Sequence, residues 1–170
     1  QEYDEMYDAI KLYVEDRNAG KESVDTTKAI LLKDFQGLTQ TNSIPPDPHV
    51  AVGAGYIVAV VNSDFGIYDM AGNLIKRINA DQWYASTMSN PGAFDPKVIY
   101  DHFDKRWVMV WLDQNDNPAR GNLLFSVSDD SIPTGTWYNF VFRSDVNGDV
   151  PSGNWMDYQG VGFDDDAIYV

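Results

Sequence analysis

Between residues 49 and 142 the apolar positions fall in short runs broken by turn formers, a spacing that belongs to strands. His49–Val52 is followed by a Gly53-Ala54-Gly55 turn and the apolar run Tyr56–Val61. Another turn precedes Phe65–Asp69, and Ala71-Gly72-Asn73 leads into Leu74–Ile78. Short strands joined by tight turns predict an antiparallel meander. The pattern then recurs. Lys97–Tyr100 turns at Asp101–Lys105 into Arg106–Leu112, a loop is expected at Asp113–Gly121, and Asn122–Val127 turns at Ser128–Thr136 into Trp137–Phe142. A different period precedes both units. Tyr3, Met6, Tyr7, Ile10, Tyr13 and Val14 recur at spacings of three and four, which predicts one amphipathic helix capped by Asn18-Ala19-Gly20. Its polar face is mostly acidic, so it is expected to dock on the body or a neighbouring domain and not on a membrane surface. The body opens at Ile44-Pro45-Pro46-Asp47-Pro48, a stiff extended entry.

The units align with each other. Asp47-Pro48-His49-Val50, a glycine turn and Ile57-Val58-Ala59-Val60 match Asp95-Pro96-Lys97-Val98, an aspartate turn and Trp107-Val108-Met109-Val110. A third copy starts at Asp157-Tyr158-Gln159-Gly160-Val161, turns at Asp164-Asp165-Asp166 and enters Ala167-Ile168-Tyr169-Val170. The starts lie 48 and 62 residues apart. Four-stranded repeats of about 40 to 50 residues mark β-propeller blades. The expected fold is therefore all-β. Residues 1–34 form a helix and linker, and 35–170 a partial propeller with blade units at 47–78, 95–142 and, incomplete, 157–170. Propellers close with at least about four blades, and an open one exposes strand edges. The remaining blades are expected from the same polypeptide or from another chain.

Composition narrows the function classes. The chain carries 26 acids against 12 bases, a formal charge of −14, which opposes binding to a phosphate backbone. It has no cysteine, hence no disulfide framework, thiolate metal site or cysteine nucleophile. No apolar run is long enough for a membrane-spanning helix. All the glutamates (Glu2, Glu5, Glu15, Glu22) lie in the lead-in, whereas the body from Phe35 holds 17 aspartates and 7 bases. Aspartate favours caps and turns, so this shift separates a helical lead-in from a body of strands and acidic turns.

Pro45–Gly53 with Val60-Val61-Asn62-Ser63 and Ile67-Tyr68-Asp69 resembles the opening blade of large secreted bacterial β-propeller proteins. So do Phe94–Asp101 with Arg106-Trp107-Val108, and Asp157-Tyr158 leading to Ala167–Val170. These proteins are loosely related to the sialidase-like, Asp-box propellers. Ser128–Trp137 is similar to an Asp-box, two residues longer overall and with the addition between aspartate and glycine. The resemblance implies a structural hairpin there: serine and aspartate bond turn amides, glycine supplies unusual backbone angles, and tryptophan packs inside the blade. It also implies a secreted or cell-surface protein.

Sialidase-like catalysis would need an arginine cluster and a tyrosine nucleophile with a supporting glutamate; the body has Arg77, Arg106, Arg120 and Arg143 but no glutamate. His49 reads as a satisfied polar residue at a strand start and His102 as an exposed turn residue; neither has helical zinc spacing. Calcium is the more credible chemistry. Asp145-Val146-Asn147-Gly148-Asp149 presents oxygen side chains at alternate positions, with Asp157 able to close the site. Asp113, Asn115 and Asp116 form a weaker candidate. Asp47, Asp95 and Asp157 occupy equivalent positions, where they either cap the innermost strands or line one mouth of a central channel. Two functions follow: an extracellular or cell-surface binding or adhesion module for protein or carbohydrate, or a sialidase-like or other glycan-directed hydrolase whose catalytic residues lie partly outside this chain.

Overall fold

The alternation of small β-branched residues with polar ones between tight turns gives β1 (His49–Gly53), β2 (Tyr56–Val61), β3 (Asp64–Asp69) and β4 (Leu74–Asn79). These pair antiparallel in chain order. The structure is a computed structural model that describes residues 33–39, 41–116 and 119–170, so the expected N-terminal helix lies outside the described residues. The second meander holds β5 (Phe94–Asp101), β6 (Arg106–Asp116), β7 (Ala119–Ser128) and β8 (Trp137–Arg143), again in chain order. Two short hairpins follow, β9 (Val146–Asn147) with β10 (Val150–Pro151), and β11 (Gly162–Phe163) with β12 (Ile168–Tyr169). The fold is all-β with two four-stranded antiparallel sheets.

The structure corrects one local expectation and adds one element. The loop placed at Asp113–Gly121 is strand for most of its length, with Asp113 paired to Asn122 and Asp116 to Ala119. Cross-strand pairing satisfies the backbone of these polar residues as well as a loop would. The added element is α1 (Ala80–Tyr84), which leaves the end of β4; the Asn79 side chain caps it by accepting from the Gln82 amide at 3.2 Å.

One core joins the two sheets. From the first sheet it takes Val58, Val60, Phe65 and Ile67; from the second, Val98, Trp107, Met109, Trp111 and Leu124. Aligned by the sequence repeat, the contributing faces are not equivalent. Val58 and Val60 correspond to Val108 and Val110, which are buried on the opposite face of the second sheet and outside this core. Val98, by the same alignment, corresponds to Val50. Val98 is fully buried whereas Val50 is 58% exposed. Because strand side chains alternate between faces, this means that the sheets stack front to back.

The stack is tight near the first strands. A Cβ on Gly53 would lie 2.2 Å from the Tyr100 ring, so β1 approaches β5 as only glycine permits. The Val98 amide donates to His49 Nδ1 at 3.3 Å, giving that histidine the satisfied role expected of it. Burial, then the charge of Lys97, lowers the His49 pKa.

Farther out, Trp83 and Tyr84 of α1 enter between the sheets. Ser126 Oγ accepts from Trp83 Nε1 at 3.0 Å and lies 2.7 Å from the Tyr84 hydroxyl. It donates to Asn139 Oδ1 at 2.7 Å, so Tyr84 must be the donor in their shared bond. Asn139 Nδ2 closes the circuit on the Trp83 carbonyl at 3.0 Å. Trp83 also meets Phe65 and Trp137 edge-on, with centroids 5.2 and 5.8 Å away. Replacing Ser126 by alanine strands several buried polar atoms. Ser126→Ala should cost roughly 1–3 kcal/mol in urea denaturation, more than an ordinary surface serine. A change of only a few tenths would show that the circuit does not hold α1 in place.

Candidate functional site

The repeated strand starts converge. Asp47 and Asp95 each precede a proline, and both take a left-handed backbone, φ 42° and 47°. Aspartate tolerates this conformation better than most side chains, yet it is unusual for a residue before proline. In the third unit the left-handed residue is Tyr158, φ 52°, not Asp157, so the repeat is displaced there by one position. Gln159 then stands where the other units have proline.

Asn62, at the end of β2, ties the first two starts together. Its Nδ2 donates to the Pro45 carbonyl at 2.9 Å and to Asp47 Oδ2 at 2.6 Å, while its Oδ1 accepts from the Asp95 amide. Its backbone amide donates to the Pro46 carbonyl at 2.8 Å. From the third unit, Gln159 Nε2 donates to the Asp95 carbonyl. Asp47, Asp95 and Gln159 are thus linked across three separate stretches of chain, and the charge of the exposed Asp157 reaches Asp95.

The cluster is electrostatically crowded. Burial first, then the charge of Asp47, pushes the Asp95 carboxyl above its ordinary value; a hydrogen bond between the two carboxyls and the charge of Asp157 add to this, and Asn62 opposes it. Among the described residues none of the three carboxylates forms an ion pair. Asp47 and Asp95, as hydrogen-bond neighbours, can share a proton. The Asp47 and Asp95 carboxyls are closer than the glycosidase arrangement, in which the acids stand about 5 Å or more apart around the scissile bond.

The other expected sites are placed differently. Arg143 grips Asp145 with a two-pronged pair, Nε to Oδ1 and a second nitrogen to Oδ2, each at 2.9 Å. That hydrogen-bonded guanidinium holds the Asp145 carboxyl below the usual range. Asn147 and Asp149 flank and occupy the β9–β10 turn, whose left-handed Gly148 (φ 62°) suits a two-residue hairpin. Arg143 therefore takes both oxygens expected from Asp145 for calcium, and the charge of the exposed Asp157 acts on Asp95 instead. Asp113 is buried in β6 and accepts from the Gly92 amide at 2.9 Å and Asn122 Nδ2 at 2.7 Å. Asn115 and Asp116 continue the same strand, so the weaker calcium loop loses its loop.

The Asp-box-like hairpin is structural in its bonding. Ser128 Oγ accepts from the Trp107 amide at 2.8 Å, and Asp130 Oδ1 from the Ile132 amide at 2.7 Å. Trp137 packs on the shared core. Gly135 is not left-handed, contrary to expectation; the two additional residues let the Pro133-Thr134 turn reverse the chain. Asp164, Asp165 and Asp166 form an exposed acidic group, but Asp164 already accepts from two turn amides and the Tyr169 hydroxyl.

The body arginines do not assemble. Arg77 pairs with Asp64 at 2.6 Å, Arg106 donates to the Ser128 carbonyl at 2.9 Å, Arg120 approaches Asp113 at 3.9 Å and Arg143 holds Asp145. His102 is exposed in its turn, beside Phe103 and Phe163. No protein-family model, curated protein or solved structure matches the chain.

A carboxyl more easily protonated in the folded chain than in the unfolded one stabilises the fold at low pH and loses that contribution as pH rises through its folded value. With EDTA present, wild type and Asp95→Asn should therefore have similar urea midpoints near pH 3.5, below the ordinary aspartate pKa of about 3.9. Wild type should fall progressively behind as pH rises towards about 7. A gap that stays constant across that range contradicts the crowding at Asp95.

Proposed function

We propose that this chain supplies two complete blades and part of a third to a β-propeller that acts as an extracellular or cell-surface binding module for protein or carbohydrate. The observation that carries the reading is the front-to-back stacking of the two sheets. A sandwich related by a two-fold axis would bury equivalent faces and stop growing. Unlike faces in contact generate a ring or an open stack. Here each sheet keeps part of one face for a further neighbour; on the first, Phe35 and Leu38 already cover Tyr68 and Gly66. The first sheet leaves Val50 and Val52 exposed, where the second buries Val98 and packs Tyr100 into the core. The second sheet leaves Tyr138, Phe140 and Phe142 about half exposed on β8. Apolar faces of this kind mark sites of further burial. Sheets from the same or another chain are the natural occupants.

A binding role fits the chemistry better than hydrolysis. The four body arginines are each engaged by other partners, and the Asp47 and Asp95 carboxyls are hydrogen-bond neighbours. Neither supplies the spaced acids or arginine cluster that glycan cleavage uses. No helix among the described residues is long and apolar enough to cross a membrane.

Expressed alone, the chain should self-associate in light scattering. Val52→Asp and Phe140→Asp should each suppress this, with little loss of thermal stability because both positions are exposed. A wild-type chain that stays monomeric at high concentration would contradict the stacking claim. Release of sugars from mixed glycans, abolished by Asp47→Asn, would instead establish a hydrolase.

A further inference from the structure

The first sheet carries a counterpart of α1 on the face that holds Val50. Gly66 pairs with Ala59 and Arg77, and Ser126 pairs with Met109 and Asn139. Ala59 and Met109 match in the sequence repeat, so Gly66 stands where Ser126 does and Arg77 where Asn139 does. On the second sheet α1 occupies both positions: Ser126 Oγ accepts from Trp83 and Tyr84, and Asn139 Nδ2 donates to the Trp83 carbonyl. On the first sheet residues 35–39 occupy them. A Cβ on Gly66 would lie 2.9 Å from Leu38 Cδ2, and Arg77 Nη1 donates to Thr39 Oγ1 at 2.9 Å. Phe35 packs on Tyr68 with centroids 5.5 Å apart and fills a notch at Gly72, where a Cβ would lie 2.5 Å from its ring. Each segment comes shortly before an Asp-Pro start, α1 before Asp95 and residues 35–39 before Asp47.

The two segments differ on their far side. There α1 is covered by the first sheet: Tyr84 is fully buried and Trp83 meets Phe65 edge-on at 5.2 Å. Phe35, by contrast, is 40% exposed, and Val50 and Val52 on the same sheet are more so. We propose that residues 35–39 are the wedge of a second sheet-to-sheet joint, closed by the β7–β8 face of a second copy of this chain. Continuity with the joint already present selects that occupant. The place of Phe65, opposite Val60, is held in the second sheet by Phe125, opposite Val110. Phe125 lies 6.3 Å from both Phe140 and Phe142, which are about half exposed, so this face offers aromatic edges where α1 already finds Phe65. The surfaces are also stepped in opposite senses. On the first sheet the added layer lies over β3 and β4 and leaves Val50 and Val52 of β1 open. On the second, Trp155 lies over Phe94 of β5 and Gly121 of β7 and leaves the aromatics of β8 open. Contact between unlike faces of two copies is head-to-tail, so it repeats the order within the chain. The inference rests on the sheet-stacking proposal and adds the element that positions the incoming sheet.

The test uses the full chain in sedimentation velocity, with near-ultraviolet circular dichroism as the check on folding. Phe35→Ala combined with Leu38→Ala should weaken self-association by about tenfold, as loss of anchors at an interface centre does. The contact itself is read by cross-linking, because the chain has no cysteine of its own. A chain carrying Gln36→Cys, an exposed position in the wedge, is mixed with one carrying Phe140→Cys and oxidised. Disulfide-linked pairs should join the two variants in preference to either variant with itself. The proposal is overturned if the double alanine variant associates as tightly as wild type or more tightly, since residues 35–39 would then merely cover the face. It is equally overturned if Phe140→Cys links to itself and not to Gln36→Cys. Either result leaves sheet stacking standing where Val52→Asp still weakens association, whereas a wild-type chain that stays monomeric overturns both.

Discussion

The constraint on which the rest of this structure depends is the burial of one apolar sheet face against an unlike face of its repeat. Val58, Val60, Phe65 and Ile67 need a cover, and Trp107, Met109 and Trp111 provide it. Fully burying side chains of this size is worth about 1.5–3 kcal/mol each, so this shared layer outweighs any single polar contact in the chain. Its geometry has consequences at both ends of the sheets. Near the first strands, close approach fixes Gly53 against Tyr100 and brings the Asp-Pro starts together. Toward the outer strands the sheets leave room that Trp83, Tyr84 and the Ser126 circuit fill.

The two ends use polar groups differently. At the Ser126 circuit every named donor meets an acceptor, which fixes α1 and adds uniqueness to an otherwise apolar layer. At the strand starts the balance is incomplete: Asn62 offsets part of the crowding between Asp47 and Asp95, and Gln159 Oε1 has no hydrogen-bond partner among the described residues. Strained backbone at Asp47 and Asp95 coincides with that crowding.

Much of the fold was legible because its signals are local. Turn residues and alternation located the β1–β4 strands to within a residue or so, and the Asp-Pro repeat brought out the two matching meanders. The hairpin at Asp113–Ala119 was not legible, because a strand that continues into polar residues loses the apolar signal although its ladder persists. The α1 helix is short, and its capping signal, Asn79 three residues before Gln82, lay next to a run that already read as strand. The acidic cluster was half legible. Asp47, Asp95 and Asp157 were singled out by repetition, whereas Asn62 and Gln159 carry no local signature. Asn62 is a polar residue closing an apolar strand, and Gln159 occupies the place that proline holds in the other repeats; only tertiary contact gives them a role. The acidic stretch at Asp145 misled for the opposite reason, since its nearest cation, Arg143, lies two residues away and takes both of its oxygens.

The central claim is that unlike faces meet, and nuclear Overhauser contacts test it most directly. The His49 ring accepts from the Val98 amide at 3.3 Å, so a cross-peak between that ring and that amide proton should be strong. Val50, on the other face of the same strand and 58% exposed, should show no cross-peak to Val98. Contacts from the Val50 methyls to Val98, with none from His49, would place equivalent faces together and contradict the account.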